Sequence, residues 1–379
     1  MRDTTISLRR ARCLLIYWRD GQLCFHNFAT RHTASSQPIT CNVLNFFEKW
    51  RTAREAIKHF ADYRERSVRA TLTQLVEHGL LVRKGSAKAE HDTRIAQAWS
   101  AWLPHGSFHF STKDAPYVDR SRWNLDRLKS VLPKTPQPKI IKSVKGTKKV
   151  SLPARTFPDS EFIQVLMARK THRRFSNEKL PLATVSQLLF LVWGVNGYLH
   201  TRRFGKLLQK TSPSGGARHP GEVYLMALRV EGLRAGLYHY QPVTHRLEQI
   251  NTRTSREKAS LYCARQHFVR NAAALFLMTA VFPRTMWKYR HPRAYRVVLL
   301  DAGHLCQTFC LVATWLGLAP FCTAALKDTL IETDIGIDGI RESVLYVAGV
   351  GAPATSVRAR RQFSRNADRH AGGPSKDVV

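Results

Sequence analysis

Acidic side chains are scarce: 27 Asp and Glu stand against 60 Lys and Arg, a formal charge of +33 over 379 residues. A surplus of that size favours contact with polyanions, acidic peptides or anionic membrane surfaces, and carries no information about fold. Cysteine is sparse and unpatterned. The seven residues Cys13, Cys24, Cys41, Cys263, Cys306, Cys310 and Cys322 contain no Cys-x-x-Cys pair, which argues against a zinc site and against a disulfide framework. Cys306 and Cys310 are four apart and share a helix face, but their apolar neighbours make them buried free thiols. No metal is expected. Met1–Arg12 lacks the apolar run of a secretory signal. The longest uncharged stretch, Leu305–Leu326, is interrupted by Gln307, Thr308, Thr314, Gly317 and Pro320. It reads as a buried helix leading into a loop rather than as a membrane span, so a cytoplasmic, soluble protein is expected. Internal repeats are absent. What remains is ample for folding: 44% hydrophobic and 10% aromatic residues exclude a largely disordered chain, and the length suggests two domains.

Composition divides the chain further. In residues 1–95, Asn45–Phe60 places Phe46, Phe47, Trp50, Ala53, Ile57 and Phe60 at helical spacing. A second helix fits Ser67–His78, with Val68, Leu72, Leu75 and Val76 on one face, and Gly79 stops it. Leu80–Val82 then reads as a short strand. Helix, turn, helix and strand suggest a winged-helix-like α/β module. Arg64, Arg66 and Arg69 would suit DNA, but peptide or partner docking is the favoured role. Residues 96–150 are read as a basic linker, because Arg120–Val150 holds ten Lys/Arg and one acid, Asp126, with Pro133, Pro136 and Pro138. Residues 151–352 alternate strand-like and helix-like runs, and 353–379 form a basic tail.

Three segments in that third region carry chemistry. "FIQVLMARKTHRRF", Phe162–Phe175, is an apolar helix that ends in Arg169, Lys170, Thr171 and Arg173. Three cations and a hydroxyl so close together can hold a phosphate through charge-assisted, bidentate hydrogen bonds. "SPSGGARHPGEVYLMAL", Ser212–Leu228, opens with a shaped loop in which Pro213, Ser214, Gly215 and Gly216 let backbone approach a flat ligand. Met286–Leu318 places Lys288 next to Tyr289, followed by Arg293, Tyr295 and Arg296. An adjacent amine and phenol can move a proton. A long helix follows, with Leu299, Leu300, Gly303, Leu305 and Cys306 expected to face inward.

Together these segments resemble the nitroreductase-like flavoproteins, and within them the SagB-type branch. "RKTHRRF" matches an R-x-[ST]-x-R-x-F opening, and "PSGGARHPGEVY" a P-S-x-G-x-x-x-P-x-E-x-Y loop. "GLRAGLYHYQPVTHRLEQI", "KYRHPRAYR" and "DIGIDGIRESVLYVAGVG" follow in the order that branch carries them. The resemblance covers about residues 155–352 and implies an α+β fold, a mixed, antiparallel-centred sheet wrapped by helices, that binds FMN at a homodimer interface. By position, Arg169, Lys170, Thr171 and Arg173 would hold the ribityl phosphate. Pro213, Ser214, Gly215 and Gly216 would line the isoalloxazine. The loop near Cys322–Ala324, with Thr323, would offer backbone N–H to the flavin N5, and Arg358 or Arg360 would close the phosphate site. The branch oxidises thiazolines or oxazolines of ribosomal peptides to thiazoles or oxazoles. Tyr289 is then expected as the proton acceptor with Lys288 stabilising its phenolate, or the two in reversed roles. A precursor peptide and a cyclodehydratase would be the partners, docked on the N-terminal region and on Ser107–Tyr117, and specific nucleic acid binding is not expected. Two rival readings are an NAD(P)H-dependent nitro or quinone reductase and a flavin-linked DNA-binding regulator.

Overall fold

The computed structural model describes residues 5–115, 117, 140, 150–153 and 156–354. The basic stretch beyond Arg120, the tail, Arg358 and Arg360 thus lie almost wholly outside the described residues.

The N-terminal region starts with β1 (Ser7–Arg10), β2 (Leu14–Arg19), β3 (Gln22–Asn27) and β4 (His32–Ser35), then α1 (Ile39–Phe46), β5 (Arg51–Thr52), α2 (Ala53–His59), α3 (Glu65–Glu77) and β6 (Leu81–Arg83). Strands β2, β3 and β4 form one antiparallel sheet, and β1 pairs with both β5 and β6 in another. The single helix expected over Asn45–Phe60 is two helices. Thr52 restarts the chain with a capping box, its hydroxyl accepting from Glu55 N while the Glu55 carboxylate accepts from Thr52 N, and that reciprocal pairing fixes a new helix start. The α3 helix ends at Gly79 (φ +70°), as its spacing predicts. A winged-helix module is not confirmed. The strand beside β6 is β1, from before the helices, and β6 leads into another helix rather than back through a wing.

That helix is α4 (Ala87–Ala98), followed by α5 (Leu103–Thr112), so the expected linker from residue 96 is corrected over its first part. Aromatic side chains are the reason. Trp99, Trp102 and Phe110 are buried with Cys13, Phe28 and Ile95 against Phe282, Tyr295 and Ile340 of the following region. Each large aromatic buries about 150–250 Å², roughly 4–6 kcal/mol for each tryptophan. Polar anchors accompany them: Trp99 Nε1 donates to Ile340 O at 2.8 Å, Trp102 Nε1 to Tyr289 O at 2.9 Å, and His109 Nδ1 lies 2.9 Å from Tyr295 Oη.

The remaining elements are α6 (Glu161–Ala168), β7 (Leu180–Pro181), α7 (Leu182–Trp193), β8 (Gly197–Thr201), β9 (Gly205–Gln209), β10 (Gly221–Ala227), β11 (Val230–Glu231), β12 (Gly236–Gln241) and β13 (Arg246–Asn251). After them come α8 (Arg256–Tyr262), β14 (Ala274–Val281), α9 (Phe282–Lys288), α10 (Ala294–Trp315), β15 (Ala319–Thr323), α11 (Asp328–Ile335) and β16 (Glu342–Gly351). A six-stranded sheet in the order β13-β12-β10-β14-β16-β15 forms the centre. Every pairing in it is antiparallel, so the expected mixed sheet is antiparallel throughout in the described residues. Parallel pairing is confined to the short β7–β11 ladder.

Side chains alternate across this sheet with the strand period of two. Val223, Leu225, Phe276, Met278 and Val350 meet α7 and α10 on one face. Tyr224, Met226, Leu275, Leu277 and Val347 meet α8 and α11 on the other. By length and composition alone α10 could cross a membrane, yet it lies along the sheet, where Phe309 packs on Phe276 with ring centroids 5.0 Å apart. Its inward phase is Tyr295, Val298, Asp301, Leu305, Cys306, Phe309 and Cys310. Leu299 and Leu300 point outward, 40% and 54% exposed. Their hydrophobicity suggested the inward phase, but a helix turn of 3.6 residues carries them off the stripe set by Val298 and Leu305.

Candidate functional site

The loop between β9 and β10 is built on α10. Ser214 Oγ donates to Asp301 Oδ2 at 2.6 Å and accepts from His219 N at 2.9 Å. Gly215 N donates to Asp301 Oδ1 at 3.3 Å. Two turns further along, Ser212 Oγ and Thr308 Oγ1 are 2.7 Å apart. Gly216, Ala217 and His219 all have positive φ, and two of these are non-glycine residues held there by surrounding bonds. Burial pushes the Asp301 carboxyl up, while the Ser214 and Gly215 hydrogen bonds pull it back down.

Asp301 was not anticipated from sequence. The signal was available, for it is the one acid in the 22-residue apolar helix, and buried carboxylates require partners. Its replacement by Ala leaves the Ser214 hydroxyl and Gly215 N–H without their acceptor. Thermal or urea unfolding of Asp301→Ala is expected to show a loss of about 2–3 kcal/mol, with Asp301→Asn losing about half as much. Equal stability of Asp301→Ala and wild type would show that the loop does not depend on this anchor.

Lys288 and Tyr289 come from the end of α9. Tyr289 N still donates to Thr285 O at 2.9 Å, but its backbone is extended, so the helix stops there and turns the phenol out. The two side-chain tips converge on the glycine loop. A Cβ placed on Gly216 would lie 2.3 Å from Tyr289 Oη and 2.7 Å from Lys288 Nζ. Gly215 is equally confined, since its Cβ would meet Val297 Cγ1 at 2.3 Å. Gly215 is thus sterically confined in this arrangement, and at Gly216 (φ +63°) the left-handed backbone itself favours glycine. Lys288 Nζ lies 4.5 Å from the centroid of the Phe204 ring, within cation–π range. The fold thus joins residues more than seventy positions apart. A groove of about 240 Å³ adjoins them, lined by Lys206, Leu208, Ala217, Arg218, Arg284 and Trp287.

The cationic cluster lies at the end of α6, which packs against α10. Arg169 caps α6, its N–H donating to Val165 O at 3.1 Å. The chain then runs beside β15, with His172 N donating to Pro320 O at 2.8 Å. Arg169 is half-buried, and its charge reaches Cys310 and Cys322. Lys170, Thr171 and Arg173 are exposed, and the Arg173 guanidinium sits 5.8 Å from the Phe268 ring centroid. From Asp301 to Cys310 the helix rises about 13 Å. That spacing suits a ligand with a flat end on the loop and an anionic end on the cluster.

Thr323 falls on the last residue of β15 and pairs opposite Val347, where a loop position was expected. The antiparallel ladder with β16, running from Ala319 to Thr323, extends the strand to that point. Its Oγ1 accepts from Gln266 Nε2 at 2.7 Å and from Ala325 N at 3.1 Å.

Comparison with known proteins agrees with this architecture. The model of the nitroreductase family matches residues 166–352. The trifolitoxin-processing protein TfxB of Rhizobium leguminosarum bv. trifolii is 27% identical over 347 residues, spanning 84% of this chain and 90% of TfxB. The microcin B17-processing protein McbC of Escherichia coli is 30% identical over 145 residues, 35% of this chain and half of McbC. The Methanocaldococcus jannaschii protein named "Putative nitroreductase MJ1384" is 32% identical over 197 residues, 51% of this chain and 93% of its own length. On the strength of these matches over residues that build the sheet, the loop and the cationic cluster, the chain belongs to the nitroreductase family.

Proposed function

We propose that this protein is an FMN-dependent dehydrogenase that oxidises thiazolines or oxazolines in a ribosomally made peptide to the corresponding azoles. The observation that carries the reading is the convergence of Lys288 and Tyr289 on Gly216. Members of the family bind FMN, and the residues present fit it. The glycine loop presents bare backbone beside the tips of Lys288 and Tyr289, and a cationic cluster follows the end of α6. Pro213, Ser214, Gly215 and Gly216 would hold the flat ring system; Arg169, Lys170, Thr171 and Arg173 would hold the phosphate. When bound, FMN supplies the two-electron acceptor.

The chain's own part is positioning and proton movement. Aromatising an azoline removes a hydride equivalent from one ring carbon and a proton from its neighbour. Tyr289 Oη takes that proton, and the Lys288 ammonium beside it stabilises the phenolate. Trp102, by bonding the Tyr289 carbonyl, holds the pair in place from the N-terminal region. Two relatives are named for processing trifolitoxin and microcin B17, which supports a peptide substrate. Precursor peptide and cyclodehydratase would meet the N-terminal region. The outward Leu299 and Leu300 of α10, with exposed Phe190 on α7, suit a homodimer interface.

Heat release of the purified full-length protein is expected to yield FMN at about one equivalent per chain. Incubation with a thiazoline peptide is expected to yield the azole, lighter by two hydrogens. A protein that carries no flavin and takes up no added FMN would overturn the reading.

A further inference from the structure

Cys306 and Cys310 lie one turn apart on the inward stripe of α10, and β15 brings Cys322 up against them. All three Sγ atoms lie within 4.8 Å of one another. Tyr346, on the neighbouring strand β16, donates its hydroxyl to Cys322 Sγ at 3.2 Å. Cys306 and Cys310 are buried and Cys322 half-buried. The cluster contains three sulfurs and a phenol, with neither histidine nor carboxylate among its members. The absence of a Cys-x-x-Cys pair concealed it in the sequence, because the third thiol arrives through the helix-to-strand turn.

From these residues we propose a trithiolate site for a thiophilic d10 cation, Zn²⁺ or Cu(I), with Tyr346 Oη beside the fourth position and Arg169 as counter-charge. The size is right. Zinc–sulfur bonds of about 2.3 Å in a tetrahedron place sulfurs about 3.8 Å apart, so the thiols need only a small contraction to close on an ion. The donor set selects the class of metal, since thiolate sulfur prefers soft cations to Mg²⁺ or Ca²⁺. For Zn²⁺ the charge closes as well. Three thiolates and a divalent ion leave one negative charge, and Arg169 acts electrostatically on both Cys310 and Cys322. A buried net charge without such a partner would be strongly disfavoured.

A simple disulfide suits the site less well, because pairing any two of three thiols strands the third. An ion here would clamp the second half of α10 to β15, and the site shares Arg169 with the phosphate cluster proposed above, so its test reads metal binding and not turnover.

The test uses the full-length protein, freed of metal with a chelator and kept reduced under anaerobic conditions. Cobalt(II) is added first, as a spectroscopic probe for the zinc position. The expected result is saturation at one equivalent per chain, with intense thiolate-to-cobalt charge-transfer absorption. Zinc then displaces the cobalt and protects three thiols from alkylation. Cys306→Ser and Cys322→Ser are expected to weaken zinc binding roughly a hundredfold, whereas Cys24→Ser and Cys41→Ser leave it unchanged. No charge-transfer band in folded wild type would overturn the proposal without reference to any variant. So would metal affinity that persists unaltered in both Cys306→Ser and Cys322→Ser.

Discussion

Replacing Lys288 with Ala and Tyr289 with Phe together is expected to leave FMN bound and to lower azoline oxidation by about two to four orders of magnitude, the usual contribution of a positioned proton acceptor. The geometry separates the two outcomes. Flavin would rest on the Pro213–Gly216 loop, anchored through Asp301, and on the cluster around Arg169. Neither Lys288 nor Tyr289 takes part in those hydrogen bonds. The substitution leaves backbone intact, so Trp102 still donates to the Tyr289 carbonyl, and the Phe ring occupies the place of the Tyr ring. What disappears is one hydroxyl and one ammonium over Gly216. The measurement is kcat for azole formation alongside flavin content per chain. Retained turnover would remove the proton role from both residues, while lost flavin would assign them to binding.

Acid is expected to destabilise the protein steeply through His109. This ring is buried among Trp99, Phe110, Phe282 and Tyr295. Desolvation, with a smaller contribution from the Lys113 charge, lowers its pKa from the usual 6.5 to about 3. The folded state thus holds His109 neutral where the unfolded chain would already be protonated. Stability from this group is complete above about pH 6.5 and is lost progressively as pH falls toward the folded value. At 1.36 kcal/mol per unit, the loss between about pH 6.5 and pH 4 is roughly 3 kcal/mol. A His109→Gln variant starts less stable at neutral pH, because the contact with Tyr295 Oη at 2.9 Å is disturbed. Its stability is nevertheless expected to fall less over that range. Urea unfolding at several pH values measures both slopes, and parallel slopes would show that His109 is not the acid-sensitive group.

The same histidine shows where sequence reasoning stopped. The basic, proline-bearing stretch past Arg120 made everything from residue 96 look like a linker, although Trp99, Trp102 and Phe110 precede it. Those aromatics have no strong helical periodicity of their own, and only the partner surface of Phe282, Tyr295 and Ile340 explains their burial. The N-terminal region therefore shares a core with the flavin-family region. The segments proposed to be reactive were easier to pick out, because the glycine loop and the adjacent Lys288 and Tyr289 are short local patterns that need no long-range contact to be seen.

What joins those segments was hidden, since long-range contacts leave little local trace. Asp301 anchors the loop across 87 positions, and Cys322 reaches Cys306 only through the turn after Trp315. Hydrophobicity also misled where two adjacent leucines competed for one stripe. Leu299 and Leu300 are as apolar as Val298 and Leu305, and the sheet decides which pair is covered. Thr323 looked like a loop residue because the β15 strand is only five residues long and begins with Ala-Pro.

The central claim, that this family member oxidises azolines, is tested most directly by anaerobic mixing of the flavin-loaded full-length protein with a thiazoline peptide, without any nicotinamide. The account predicts loss of flavin absorbance in step with azole formation, one azole per flavin, and recovery of the absorbance on admission of oxygen. Flavin absorbance that is unmoved by the azoline peptide yet bleached rapidly by NADH or NADPH would contradict it, and would make the protein a nicotinamide-dependent reductase instead.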